Sequence, residues 1–300
     1  ALNGSAEFSP ATAAALSLPI EAHRLAFVDG VFAPALSDIG ELPAGVAVLP
    51  LSQALAENHE AVGGPLGRLT GVEFSPFSAL NTAFMEEGAV VRLAPGSVVE
   101  KPILLQFFSR ANAQPVMSHP RILVEAGGRS QATVIEHHVG ESEAANFTNM
   151  VAELMLDRGA IVNHYKLQEG ARQDLHIASI HVEQARDSTY TSFNLNLGGG
   201  LVRNDLISDL NGQNATSYFY GLFYGQDRQH IDNHTVANHN APLTFSNENY
   251  KGILDDRARG VFNGKVVVKP DSQKIEGFQS NAHLLLSDRA EINTKPELEI

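Results

Sequence analysis

The chain has 300 residues, no cysteine and a formal net charge of −13 at pH 7. Without cysteine these residues offer no disulfide framework, no thiolate nucleophile and no cysteine-ligated metal. The acidic balance argues against nucleic acid or an anionic membrane as partner, because both call for a basic surface. Apolar runs such as Ile103–Phe108 and Leu284–Leu286 are strand-sized, far short of the roughly 20 residues that span a bilayer.

The chain opens at Ala1 with neither a basic nor an apolar leader segment, so no secretory signal is read. With the lack of cysteine this fits a cytoplasmic protein. Ser9 followed by Pro10 is an N-cap with proline at the first helical position, and it opens a short helix that Pro19 ends. A second helix is predicted from Leu51 to about Val62, before Gly63-Gly64. A third is signalled by Ser75-Pro76, runs through Leu80 and Phe84, and stops at Gly88. Residues 1–87 are therefore expected to form a partial N-terminal region with short helices, and residues 88–300 a β core.

Beyond Gly88 short alternating segments follow one another. In Tyr190–Leu197, Thr191, Phe193, Leu195 and Leu197 fall on one side and Tyr190, Ser192, Asn194 and Asn196 on the other. This is the period of two of a strand with one buried face. The expected inward residues are Phe193, Leu195, Leu197, Phe262, Val266 and Val268. His176–Glu183, His230–Val236 and Val261–Val268 read as strands too.

The intervening turns resemble one another: Asp157-Arg158-Gly159-Ala160, Ala185-Arg186-Asp187-Ser188, Asp255-Asp256-Arg257-Ala258 and Ser287-Asp288-Arg289-Ala290. Asp, Asn and Gly suit turns because they tolerate left-handed backbone or bond their own chain. Ala160 to Ser188 is 28 residues and Ser188 to Ala215 is 27, but Ala258 to Ser272 is only 14. An imperfect repeat of a β-rich unit points to a stacked β-solenoid, with a sandwich or barrel as the competing architecture.

The sharpest polar feature is His230-Ile231-Asp232-Asn233-His234, with His239 five residues on. Positions 230, 232 and 234 share one face of a strand, and two imidazoles and a carboxylate so placed could ligate Fe, Zn or Mn. A polar strand face with hydrogen-bonded histidines is the alternative. The sequence fixes no further ligand, so no stoichiometric metal is expected. In Glu136-His137-His138 the two histidines point to opposite faces, so at most one can join Glu136. Arg203, Asp205 and Asp209 share a strand parity, as a polysaccharide lyase site on a β-helix face would, or as a solvated outer face does. Gly198-Gly199-Gly200 lacks the Lys-Ser/Thr and the helix start of a phosphate loop. No G-x-S-x-G elbow or helical H-E-x-x-H occurs. No catalytic residue is therefore assigned.

In the C-terminal third a more specific pattern emerges. His230-Ile-Asp232-Asn-His234-Thr235, His239, Ser246, Tyr250-Lys251-Gly252, Val261-Phe262-Asn263-Gly264, Gln273-Lys274, Gln279, Asn281, Leu284-Leu285-Leu286-Ser287, Ala290 and Thr294-Lys-Pro296-Glu-Leu298-Glu299-Ile300 stand in order. Upstream come Phe27-Val28-Asp29-Gly30, Ala79-Leu80-Asn81-Thr82-Ala83 and Glu136. Together they resemble the SufB/SufD family of the SUF iron–sulfur cluster assembly system over nearly the whole chain. The Phe-Asn-Gly and Leu-Leu-Leu-Ser segments and the absence of cysteine favour the SufD branch.

The resemblance implies a right-handed parallel β-helix and a non-catalytic assembly subunit. It implies pairing with SufB through one end of the β-helix, docking of the ATPase SufC on a C-terminal helical region, and a complex that handles a nascent iron–sulfur cluster and reduced flavin. No cofactor is expected on this chain alone. In the family the pattern continues past Leu298-Glu299-Ile300, so a chain ending there is expected to leave a strand edge near Ala282–Ser287, to form a homodimer through it, and not to bind SufC. A carbohydrate-active β-helix enzyme and a histidine-ligated metalloenzyme are the alternatives.

Overall fold

The computed structural model describes residues 8–57, 62–71, 75–110, 114–141 and 144–300. The described residues include the short α-helices α1 (Pro10–Leu16), α2 (Leu51–Glu57) and α3 (Pro76–Phe84). The proline-start signals hold: Ser9 Oγ accepts the Thr12 N–H at 3.1 Å and Ser75 Oγ the Phe77 N–H at 3.2 Å. The end of the second helix, expected near Val62, falls against residues 58–61, outside the described ones.

The strands of the described residues form two sheets. Sheet A contains β1 (His23–Val28), β2 (Val31–Phe32), β5 (Ile103–Ser109), β8 (Gln131–Gly140), β10 (Ile161–Glu169), β12 (Thr189–Asn196), β14 (Thr216–Gly225), β16 (Phe245–Leu254) and β18 (Glu276–Leu285). Sheet B contains β3 (Val46–Pro50), β4 (Gly88–Leu93), β6 (Met117–Ser118), β7 (Arg121–Ala126), β9 (Phe147–Leu156), β11 (Leu175–Gln184), β13 (Leu201–Leu210), β15 (His230–His239), β17 (Arg259–Val268) and β19 (Glu291–Glu299). From β8 onward even strands stack on even and odd on odd, all parallel. The chain thus winds as a right-handed parallel β-helix of about seven coils, each contributing one strand to either sheet. Gln131, Ile161, Thr189, Thr216, Phe245 and Glu276 lie side by side in successive coils, which sets a coil of 27 to 31 residues.

The left-handed residues sit at the corners. Gly159, Asp187 and Asn214 (φ 69°, 62° and 62°) turn the chain from sheet B to sheet A, and Asp227 and Asp256 (φ 56° and 52°) turn it back. Ala160, Ser188, Ala215 and Ala258 follow these turns and are fully buried. The 14-residue spacing from Ala258 to Ser272 is half a coil, because the two residues belong to opposite corners.

Three of the six expected inward side chains are placed otherwise. Phe262 and Val266 are buried, but Val268 is only half-buried. Along β12 the parity is reversed: Tyr190, Ser192, Asn194 and Asn196 face the interior, whereas Phe193 and Leu195 lie half-buried on the outer face and Leu197 is 40% exposed. The interior at this level is polar, and the outer apolar side chains are shielded by their neighbours in the next coils. Tyr165, Phe193 and Tyr220 form one row across three coils, and Leu167, Leu195 and Leu222 another.

The N-terminal region contributes strands that sequence patterning missed. His23–Val28 pairs in parallel with Ile103–Phe108 and forms part of the first coil. Its Leu25-Ala26-Phe27 run is buried on both faces, so it shows no alternation. Phe8, Ala13 and Leu16 of the α1 region cover the outside of sheet A at Ala26, Phe108 and Val139. Leu51, Ala54 and Val62 cover sheet B at Val90 and Leu123.

A buried ion pair fastens this second cover. Arg121 and Glu153, both with side chains 0% exposed, lie on the outer face of β7 and β9 and pair directly. Arg121 also donates to Asn81 Oδ1 of α3 at 3.1 Å and to Thr70 Oγ1 at 2.5 Å. Glu153 accepts the backbone N–H groups of Gly67 and Leu69, each at 2.8 Å. Among the described residues no helix is long and apolar enough to cross a membrane.

Candidate functional site

The strand parity expected for the polar motifs holds. Arg203, Asp205 and Asp209 of β13 and His230, Asp232 and His234 of β15 all face outward from sheet B, because alternate strand positions share a face. Parallel register sets Arg203 beside Asp232 and Asp205 beside His234. Arg203 donates to both oxygens of Asp205 at 3.0 and 2.8 Å and to Asp232 at 2.7 Å. His234 Nε2 lies 2.8 Å from Asp232 Oδ1. Burial works against ionisation of Asp232, but its hydrogen bond to His234 and the nearby positive charges outweigh it and hold the carboxyl below its usual range. A groove of about 440 Å³ separates the array from Ser75, Pro76 and Phe77 at the start of α3. The array is a closed ladder in which one guanidinium is shared by two carboxylates.

His239 faces the opposite way. It is buried inside the coil, within hydrogen-bond distance of Thr244 Oγ1 at 2.7 Å and Ser246 Oγ at 2.9 Å, and burial lowers its pKa to about 4. Of the four metal-ligand candidates, His230, Asp232 and His234 share a face and His239 does not join them. Among the described residues no three His, Asp or Glu side chains come together as a metal-binding group.

Glu136 and His138 face the interior, and His137 faces out to Glu169 at 2.8 Å. The interior pair belongs to a polar column that sequence reasoning did not assemble. His164 Nε2–H donates to Glu136 Oε1 at 2.6 Å, and His138 Nε2–H to Glu136 Oε2 at 3.2 Å. His164 Nδ1 and the Tyr190 hydroxyl lie 3.0 Å apart, within hydrogen-bond distance. Burial would favour the neutral acid, but His164 and His138 overcome it and hold Glu136 well below the carboxylate range. Lys166, 1% exposed, stands beside Glu136 on the next coil and donates to Asn204 Oδ1 at 2.8 Å. Asn204 in turn donates to Asn196 and Asn233 at 3.2 and 3.1 Å. Burial lowers the Lys166 pKa to about 8, partly opposed by Glu136. The signal available in the sequence was the recurrence of polar residues at one parity, Glu136, His138, His164, Lys166, Asn194 and Asn196, at intervals of one coil.

Gly198-Gly199-Gly200 forms the corner between β12 and β13. Gly198 has no room for a Cβ, which would run into the Gly170 backbone of the coil below. Close stacking of corners accounts for this glycine.

Glu248, 0% exposed, projects into the last coils, where it accepts from Thr235 Oγ1 at 2.8 Å and Gln279 Nε2 at 3.2 Å. Burial raises its pKa to about 7 despite those hydrogen bonds. A folded-state pKa above the unfolded value stabilises the fold fully below pH 4.5, and that contribution is lost as pH rises through 7. Glu248→Gln should therefore raise the unfolding free energy by about 2–3 kcal/mol at pH 8.5 and change it little at pH 5. Urea unfolding at the two pH values checks this, and an equal effect at both would show that the carboxyl does not titrate in this window.

Comparison with known proteins places the chain among iron–sulfur assembly sequences. The family model described as "SUF system FeS cluster assembly, SufBD core domain" matches residues 107–300, and that of the "SufBD protein N-terminal region" matches residues 18–105. An iron–sulfur cluster assembly SufBD family protein of Synechocystis is 34% identical over 308 residues, covering 99% of this chain and 67% of the relative. The iron–sulfur cluster assembly protein SufD of Escherichia coli is 30% identical over 296 residues, covering 98% and 67%. The chloroplastic protein ABCI7 of Arabidopsis thaliana is 29% identical over 233 residues, covering 75% and 49%.

Proposed function

The chain belongs to the SufBD family of the SUF iron–sulfur cluster assembly system, and from that premise we propose that it is a non-catalytic scaffold subunit that pairs with SufB and supports cluster assembly driven by the ATPase SufC. The observation that carries this reading is the family match along both the N-terminal segment and the coil stack, with the similarity to SufD of Escherichia coli extending over 98% of the chain. The chemistry in the sequence agrees. ATP hydrolysis and thiolate ligation need a phosphate loop and cysteines, and a division of labour among subunits leaves both to the partners. In this reading the cluster is cargo of the complex, reduced flavin is used by the complex, and this chain alone holds neither. The assembly is cytoplasmic.

Apolar side chains on the outside of sheet A support an interaction role. The rows Tyr165–Phe193–Tyr220 and Leu167–Leu195–Leu222 stand on the outer face of sheet A, and Phe278, Leu284 and Leu286 near its outermost strand are 54%, 55% and 53% exposed. Exposed apolar side chains grouped on one surface are a mark of interaction sites. Anaerobic co-purification with SufB and SufC is the test. The chain is expected to co-elute with SufB in a complex that also retains SufC. If it elutes alone while SufB and SufC still associate, the scaffold reading fails.

A further inference from the structure

The α1 region covers only the first coils of sheet A. Phe8, Ala13 and Leu16 reach over β1, β5 and β8 and bury Ala26, Phe108 and Val139 to 0%, 2% and 9% exposure. The other two helices lie elsewhere: α2 packs on β3 and β4, and α3 on β9, all strands of sheet B.

Past β8 the same outer face of sheet A carries two apolar rows. Leu167, Leu195 and Leu222 stand in register in successive coils, and Tyr165, Phe193 and Tyr220 stand two residues back along each strand. All six are half-buried. The leucine row runs from His137 on β8 to Lys251 on β16. Burial lowers the His137 pKa, and the charge at that end is that of Glu169, which lies 2.8 Å from its ring. Among the outward side chains of β10, β12, β14 and β16, Glu169 and Lys251 are the only charged ones.

We propose that these rows are the docking site for an amphipathic α-helix of a partner polypeptide, laid across the strands as a continuation of the α1 cover, with its N-terminus toward Glu169 and its C-terminus toward Lys251. The dimensions agree. From His137 to Lys251 is four strand spacings, about 19 Å, the length of roughly 13 helical residues. The two rows lie about 7 Å apart and fit beneath a helix about 10 Å across. Apolar side chains one helical turn apart then meet successive coils. The partial positive charge of a helix N-terminus suits Glu169, and the partial negative charge of its C-terminus suits Lys251. A second copy of this chain is a poorer occupant, because each copy carries a net charge of −13 and the two repel. The proposal rests on the interaction role put forward above and names the kind of partner it serves.

The probe is a fluorescein-labelled, end-capped helical peptide of about 14 residues, net neutral, with leucines at i, i+3, i+4 and i+7 and alanine and glutamine elsewhere. Titrating the full chain into it is expected to give a saturable rise in anisotropy. Leu195→Asp should weaken binding by about tenfold or more. Lys251→Glu should weaken it about two- to fivefold through the helix dipole. Val261→Asp, on the outside of sheet B, should leave it unchanged. Should Leu195→Asp fail to fold, Leu222→Gln takes its place. The absence of saturable binding, or equal affinity in the leucine variants and Val261→Asp, overturns the site. An unchanged affinity in Lys251→Glu overturns the helix polarity. Light scattering that shows a dimer, lost in Leu195→Asp, assigns the rows to a second copy and also overturns the proposal. The titration needs neither SufB nor SufC, so its failure and a failed co-purification are read separately.

Discussion

Glu153→Ala should lower the unfolding free energy of this chain by about 3–5 kcal/mol, the cost of stranding a buried charge. Glu153 is fully buried on the outer face of β9, where it neutralises Arg121 and accepts the N–H groups of Gly67 and Leu69. Removing it leaves Arg121 as an uncompensated buried cation and frees two backbone donors in the segment that covers sheet B. Arg92–Glu125 at 2.5 Å is the internal control, because both side chains are about 30% exposed. Glu125→Ala should cost less than about 1 kcal/mol. Urea unfolding of the two variants reads the difference directly. Equal effects would mean that the covering segment does not depend on the buried pair.

The second large effect separates the two faces of the coil. Phe262 is 0% exposed in the interior, stacked on Tyr250 with ring centroids 4.8 Å apart, and Phe262→Ala should cost about 3–5 kcal/mol. Phe193 carries the same side chain in a strand of the same pattern, yet it stands half-buried on the outer face. Phe193→Ala should cost about 1 kcal/mol, in keeping with the smaller area it removes from contact. Chemical denaturation of the pair is the check. A Phe193→Ala penalty as large as that of Phe262→Ala would restore Phe193 to the core.

That contrast shows what the sequence discloses and what it withholds. Alternation along Tyr190–Leu197 reveals a strand with two unlike faces, but not which face is inside. The assignment of apolar to inside rests on the premise that the interior is dry. Here His164 bonds Glu136, and Lys166 bonds Asn204, which bonds Asn196, across three coils, so the interior accepts polar side chains. Such partnerships join residues about 30 positions apart, and no local pattern registers them. The corners were legible because left-handed backbone restricts residue type locally, as at Asp187 and Gly159. The two proline-start helix signals were legible because capping and proline's fixed φ restrict residue type at a helix start. For the outward motif the parity of His230, Asp232 and His234 could be read, and an odd spacing already sets His239 on the opposite face, whereas the sharing of Arg203 between Asp205 and Asp232 depends on inter-strand register.

A coil of 27 to 31 residues also fixes how far apart in the chain touching residues lie. From β8 onward each lateral pairing closes a loop of similar modest size, so lengthening the stack does not raise the entropic cost of the next step. Against 300 residues a separation near 30 corresponds to a relative contact order of about 0.1, which belongs with fast-folding helical proteins rather than sandwiches. Ordering can then start in any well-packed coil and spread outward, much as a zipper closes, with amide hydrogen exchange slowest in the middle coils and fastest in the end ones.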